Sequence, residues 1–244
     1  MTTMRLDIEY DGTNYFGWAA QNGRRTVQDE LQRALSILLR QPVRLAAAGR
    51  TDSGVHAWGQ VASFDTEAEI PGDLLRRLNS ITARDVSVTA ASPVPAGFDA
   101  RASARSRTYC YRLLIRPMSS PFEEKRALWF PYRFDLDRLD ACAAAVLGKH
   151  DFTAFTPTQT DHVHFHRRVL RAEWVTESET ELRFWVEADS FMRSMVRVIV
   201  GTILEVSTAR RTVDDFTGLL DGAPREQAGE TAPAHGLYLA SVSF

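Results

Sequence analysis

Short strand-like and helix-like segments alternate along this chain, and their order comes round twice, which favours an architecture of two related units. Arg5 to Tyr10 alternates as a half-buried strand does, and Asp11-Gly12 ends it with turn chemistry. Thr26 is placed to cap a helix whose apolar positions Val27, Leu31, Ala34, Leu35 and Leu38 recur at helical spacing through Arg40, until Pro42 closes it. Val43 to Ala48 and Gln60 to Phe64 read as strands that flank a loop from Gly49 to Trp58. A second helix is expected over Asp73 to Ile81, and a further strand near Val86 to Thr89.

The later part repeats the theme. Thr108 to Ile115 reads as a strand, and Leu136 to Leu147 as a helix with Leu139, Cys142, Ala143 and Val146 on its apolar face. Val169 to Thr176 and Glu181 to Ala188 read as paired strands, followed by a helix from Phe191 to about Val206. Single helices between short strands favour an α+β fold of two ferredoxin-like halves over a doubly wound sheet, which needs more parallel crossovers. The expected sheets are largely antiparallel and flank a central active-site cleft. The stretch from Ser92 to Arg101, with Pro93, Pro95 and Gly97, is the best boundary, dividing the chain into residues 1–100 and 101–244.

Composition excludes some classes. No run approaches the ~18 apolar residues of a membrane helix, and the start MTTMRLDIEYDG lacks the pattern of a secretory signal, so the expected location is the cytoplasm. Cys110 and Cys142 have no CxxC spacing and are expected to be reduced packing residues. The net charge of −2 means that the whole molecule is not a cationic sponge for nucleic acid, a weak argument against RNA binding, but Lys125 and Lys149 are its only lysines among 29 cationic side chains. Arginine suits phosphate and stacks on bases, although genomic base composition also enriches it without function.

The densest polar cluster is Gly49-Arg50-Thr51-Asp52-Ser53-Gly54-Val55-His56-Ala57, set between two apolar strands. Its glycines let the backbone turn tightly and present Asp52 at a loop tip beside Arg50. The plainer reading is an Asx-turn in which Asp52 bonds the turn itself. Spacing alone favours that reading.

The loop GRTDSGVHA resembles the GRTDAGVHA signature of the tRNA pseudouridine synthase A family, with Ser53 in place of the usual Ala. EYDGTNYFGW with TVQ, FDARASARSRTYCYR, LGKHDFTAF, FMRSMVRVIVGTILEV and TAPAHGLYL are similar to family blocks in the same order and span nearly the whole chain. The resemblance implies isomerisation of uridine at tRNA positions 38, 39 and 40 in the anticodon arm, by a homodimer that needs neither metal nor organic cofactor. It makes Asp52 the catalytic carboxylate, Tyr109 the tyrosine that stacks on the uracil, and Arg197 the arginine that pairs with the aspartate. Strand packing is the alternative for Tyr109, and for Tyr111 two residues on. An ordinary exposed helix position is the alternative for Arg197. Departures include Ala19 where GWQ is usual, Met192 in place of Leu, and no Leu-Pro before Asp85; TPTQTDHVHF replaces an arginine-rich segment. They bear on regional RNA contacts and hence on the range of uridines modified.

The chemistry fits these residue types. The N1 to ribose bond breaks, the base rotates and rejoins through C5, and the C5 hydrogen leaves. A carboxylate serves as nucleophile at C1′ or C6, or as base toward the ribose 2′ hydrogen, and the sequence does not choose among them. The base must also leave the stack, which calls for an aromatic partner. Arg24, Arg25, Arg50, Arg105, Arg107, Arg112, Arg167, Arg168 and Arg171 are the expected RNA contacts. His162, His164 and His166 share one face if their segment is extended and then resemble metal ligands, but a hydrated face is simpler and no metal is expected. The rivals are a noncatalytic RNA-binding protein of the same fold and an aspartate-dependent nucleosidase.

Overall fold

The computed structural model describes residues 1–160 and 162–244, which form two compact units: Met1–Arg105 with Tyr238–Phe244, and Ser106–Leu237. A division into consecutive stretches does not provide for the return of the last segment to the first unit.

The first unit runs β1 (Thr2–Tyr10), α1 (Val27–Leu39), β2 (Ala46–Ala47), β3 (His56–Thr66), α2 (Leu74–Ile81) and β4 (Val86–Val94). β1 lies antiparallel between β3 and β4, and β2 is antiparallel on β3, so the order across the sheet is β4-β1-β3-β2. That is the order of a ferredoxin-like βαββαβ unit. Thr26 caps α1 by accepting the Asp29 N–H at 3.3 Å, and Arg40 ends the helix in the left-handed region at φ 54°. Val27, Leu31, Ala34 and Leu35 bury the apolar stripe of α1, and Leu6, Ile8 and Leu78 belong to the core of the same unit.

The strand expected over Val43 to Ala48 shrinks to two residues for an identifiable reason. Side chains of α1 take the backbone groups instead: Ser36 Oγ accepts from Val43 N, Gln32 Oε1 accepts from Leu45 N, and Gln28 Nε2 donates to Leu45 O. β3 conversely starts earlier than expected, at His56, so the intervening loop is shorter.

The second unit contains β5 (Ser106–Leu114), β6 (Leu128–Trp129), α3 (Leu136–Ala145), β7 (Gly148–Asp151), β8 (His166–Ser178), β9 (Glu181–Ala188), α4 (Met195–Ser207) and α5 (Val213–Gly218). Its antiparallel order β5-β9-β8-β7 repeats the β1-β3-β2 arrangement with one further edge strand. The final strand, β10 (Leu237–Ser243), pairs parallel with the start of β3, Tyr238 opposite His56 and Leu239 opposite Ala57. α4 begins at Met195 and not at Phe191, because Ser194 stands in the left-handed region at φ 59°. Leu139, Cys142, Phe152, Phe155, Phe184, Ile199, Ile203 and Phe216 pack the core of this unit. Among the described residues no helix is long and apolar enough to cross a membrane.

Cys110 and Cys142 are buried free thiols, and burial pushes them up to about 12 and about 11 respectively. They are packing groups and not nucleophiles. Tyr111 is wholly buried, and its hydroxyl donates to the Pro233 carbonyl at 2.8 Å. Removing that donor leaves a carbonyl with one partner fewer. Tyr111→Phe is therefore expected to destabilise the fold by about 1–2 kcal/mol in urea unfolding. An unchanged denaturation midpoint would show that the bond contributes nothing.

Candidate active site

The loop from Gly49 to Val55 joins β2 to β3, and its backbone is held at nearly every step. Gln60 is fully buried in β3, where its amide donates to Gly49 O at 2.7 Å and its carbonyl accepts from Val61 N at 3.1 Å. Thr51 shares a hydrogen bond of 2.8 Å with the Tyr10 hydroxyl, whose pKa burial raises well above the usual phenol value. Trp18 N donates to Thr51 O at 3.1 Å, while Tyr15 O accepts from both Gly54 N and Ser53 Oγ at 3.2 Å. Val55 N closes the turn on Asp52 O at 3.2 Å. Asp52 sits half-buried at the tip, and Arg50 is exposed.

Two close approaches fix the path of this loop. A Cβ on Gly12 would come within 2.0 Å of Val55 O, and one on Gly17 within 2.5 Å of Thr51 O. Gly17 also has φ +87°, which L side chains rarely adopt. Only glycine lets the segment after β1 lie directly against the aspartate turn. A bulge between Ile8 and Tyr10 of β1, opposite an extra residue of β3, marks the same end of the sheet. His56 continues the contact: its Nδ1 accepts from Gly12 N at 3.0 Å, and its ring stacks on Tyr238, which stacks in turn on Trp58.

A second layer supports the loop through Tyr15. Its hydroxyl donates to Asp85 Oδ1 at 2.6 Å, and Arg25 grips both oxygens of Asp85 at 2.8 and 2.9 Å. Burial of Asp85 opposes its charge, but the bonds from Arg25 and Tyr15 outweigh that and hold the carboxyl below its ordinary range. Burial, then the bond to Asp85, raises the Tyr15 phenol.

In the second unit Tyr109 and Arg197 are placed by β5 and α4. Tyr109 is buried and meets Phe191 edge to face, ring centres 5.0 Å apart. Tyr111, two residues on, is tied to Pro233 through its hydroxyl. Arg197 is half-buried and not an exposed helix residue. Its Nε donates to Ala232 O at 2.8 Å and its own carbonyl accepts from Ala232 N at 3.1 Å, so the TAPAHG segment clasps it.

The arginines expected at RNA fall into two groups. Arg25 pairs with Asp85, Arg112 with Glu181 and Glu123, and Arg171 with Glu173. Arg24, Arg50, Arg105 and Arg168 are exposed, while Arg107 donates to Asp189 O at 2.9 Å and Arg167 to the carbonyls of His164 and His166. The three histidines do not share a strand face, because β8 starts only at His166. Sequence reasoning missed Tyr10, Tyr15, Gln60 and Asp85. A polar Gln inside the apolar run of β3 was the available signal.

A family model described as tRNA pseudouridine synthase matches residues 8–101 and 142–244. The chain belongs to the tRNA pseudouridine synthase family. Within it, relatives named tRNA pseudouridine synthase A match this chain from end to end. The protein from Frankia casuarinae is 42% identical over 247 residues, covering 100% of this chain and 90% of the relative. That from Anoxybacillus flavithermus is 41% identical, covering 100% and 99%, and that from Bacillus pumilus is 39% identical, covering 99% and 98%.

The Asp85 pair makes a pH prediction. An acid whose folded pKa is depressed contributes stability fully above its unfolded value of about 4, and loses it as pH falls through the folded value. Between about pH 5 and about pH 3 the wild-type melting temperature is expected to fall more steeply than that of Asp85→Asn. Parallel curves would remove the ion pair from the stability of this unit.

Proposed function

We propose that this chain isomerises uridine to pseudouridine in the anticodon stem-loop of tRNA, at positions 38, 39 and 40. The observation that carries the reading is the Asp52 loop, whose backbone is fixed by Gly12, Gly17, Gln60 and Tyr15 within a chain of this family. Asp52 is the catalytic carboxylate. Nucleophilic attack and base catalysis alike require it to be ionised. Arg197 is assigned as the partner of that carboxylate on the resemblance alone, and its clasp on Ala232 restricts the guanidinium in advance. Tyr109 stacks on the uracil extruded from the anticodon stem. The N1–C1′ bond breaks, the C5–C1′ bond forms, the C5 hydrogen leaves as a proton and N1 takes up one, so the rearrangement is redox-neutral and needs no energy source. Neither a metal nor an organic cofactor enters it.

Arg24, Arg50, Arg107 and Arg168 meet tRNA phosphates, and Arg25 adds charge while keeping its pair with Asp85. The protein acts as a cytoplasmic homodimer. A noncatalytic RNA-binding role is not favoured, since binding alone has no use for a carboxylate that repels phosphate.

The test is incubation with an unmodified tRNA transcript and carbodiimide primer-extension mapping of pseudouridine. The wild type is expected to produce stops at positions 38 to 40, and Asp52→Asn none, with tRNA affinity retained. Multiple turnover by Asp52→Asn, with deamidation excluded, would overturn the assignment. Arg197→Lys is expected to lower the single-turnover rate more than affinity, because lysine lacks the guanidinium fork. Weakened binding at an unaltered rate would place Arg197 on the RNA surface instead.

A further inference from the structure

Phe16 is 45% exposed, although Tyr15 and Trp18 beside it are among the most buried side chains of the unit. A single exposed aromatic is ordinary. Three observations set this one apart. Its backbone is immobilised from both sides, with Phe16 N donating to Arg25 O and Gln21 Nε2 donating to Phe16 O, each at 2.9 Å. The next residue, Gly17, lies against the backbone of Thr51 and Asp52, so Phe16 is one residue from the catalytic loop. The guanidinium of Arg24 stands 4.4 Å from the ring centre and has no carboxylate within ion-pair distance among the described residues.

A rigid exposed ring topped by an unpaired guanidinium has the chemistry of a nucleobase platform. Aromatic faces stack bases without regard to sequence, and arginine adds a planar surface and a charge for the adjoining phosphate. Trp58, the other exposed aromatic near the loop, already has Tyr238 stacked on it at 4.2 Å. We infer that Phe16 and Arg24 form a stacking site for a base of the tRNA segment that carries the target uridine. This rests on the synthase reading above. The site holds a neighbouring base in place while the uridine is turned toward Asp52, which accommodates several target positions because stacking ignores base identity.

The experiment compares wild type, Phe16→Tyr, Phe16→Leu and Phe16→Ala for affinity to unmodified tRNA across a salt series, with pseudouridine formation followed in the same samples. Phe16→Tyr keeps a π face and is expected to bind within about twofold of wild type, whereas Phe16→Leu and Phe16→Ala weaken binding about tenfold. The salt slope is unchanged in all three, while Arg24→Gln lowers it by about one. Affinity of Phe16→Leu equal to wild type overturns the platform, as does a loss explained entirely by the salt slope. A change in sedimentation of the Phe16 variants without any change in tRNA affinity also overturns it, because the ring is then a protein contact. A wild type that forms pseudouridine while Phe16→Leu binds normally removes the platform alone; a wild type that neither binds nor modifies tRNA removes both readings.

Discussion

The approach of the glycine segment after β1 to the Asp52 turn is the contact on which the path of that loop depends. At Gly12 and Gly17 the chain passes so close to Val55 and Thr51 that no side chain fits. Such contact converts a surface loop, which is mobile by default, into a fixed part of the sheet end. Gln60 and Tyr10 then meet the polar groups that this burial strands, and Tyr15 links the turn to the Arg25–Asp85 pair. In the proposed role an aspartate held this way would reach a substrate with little rearrangement, which is how positioning lowers a barrier. Ser53 adds a further bond to the Tyr15 carbonyl.

The same logic governs the second unit on a different element. Arg197 projects from α4, whose N-terminus is set by the left-handed Ser194, and Ala232 grips both its side chain and its main chain. Tyr111 secures Pro233 in the same segment, so two residues of β5 divide the labour: Tyr111 supports and Tyr109 keeps its ring against Phe191. Charge is organised locally despite the net value of −2. Arginines facing carboxylates stabilise strands and turns, and the exposed remainder supplies cationic surface.

Much of this was legible in the sequence because it follows from local periodicity. The stripe of α1 and its Thr26 cap, the β8–β9 pair, the packing role of the cysteines and the Asp52 loop all announce themselves within a dozen residues. What escaped depends on distant partners. β10 joins β3 across most of the chain, and α5 is a six-residue helix too short to show a period. The residues before β2 look strand-like, yet Gln28, Gln32 and Ser36 capture their backbone groups. Arg25 reads as a free cation until Asp85, far along the chain, is seen beside it. The choice between Tyr109 and Tyr111 rests on resemblance; what the structure adds is the bond of Tyr111 to Pro233, which no local pattern announces.

The central claim is that the carboxylate at the tip of this loop drives a rearrangement and not a hydrolysis or simple binding. Release of the C5 hydrogen tests it most directly, because rejoining the base through C5 must expel that atom. With tRNA tritiated at uracil C5, the wild type is expected to release tritium to water in proportion to pseudouridine formed, without free uracil and without any requirement for metal or nucleotide. Accumulating uracil, or retention of the label by RNA that the protein binds, would contradict the account.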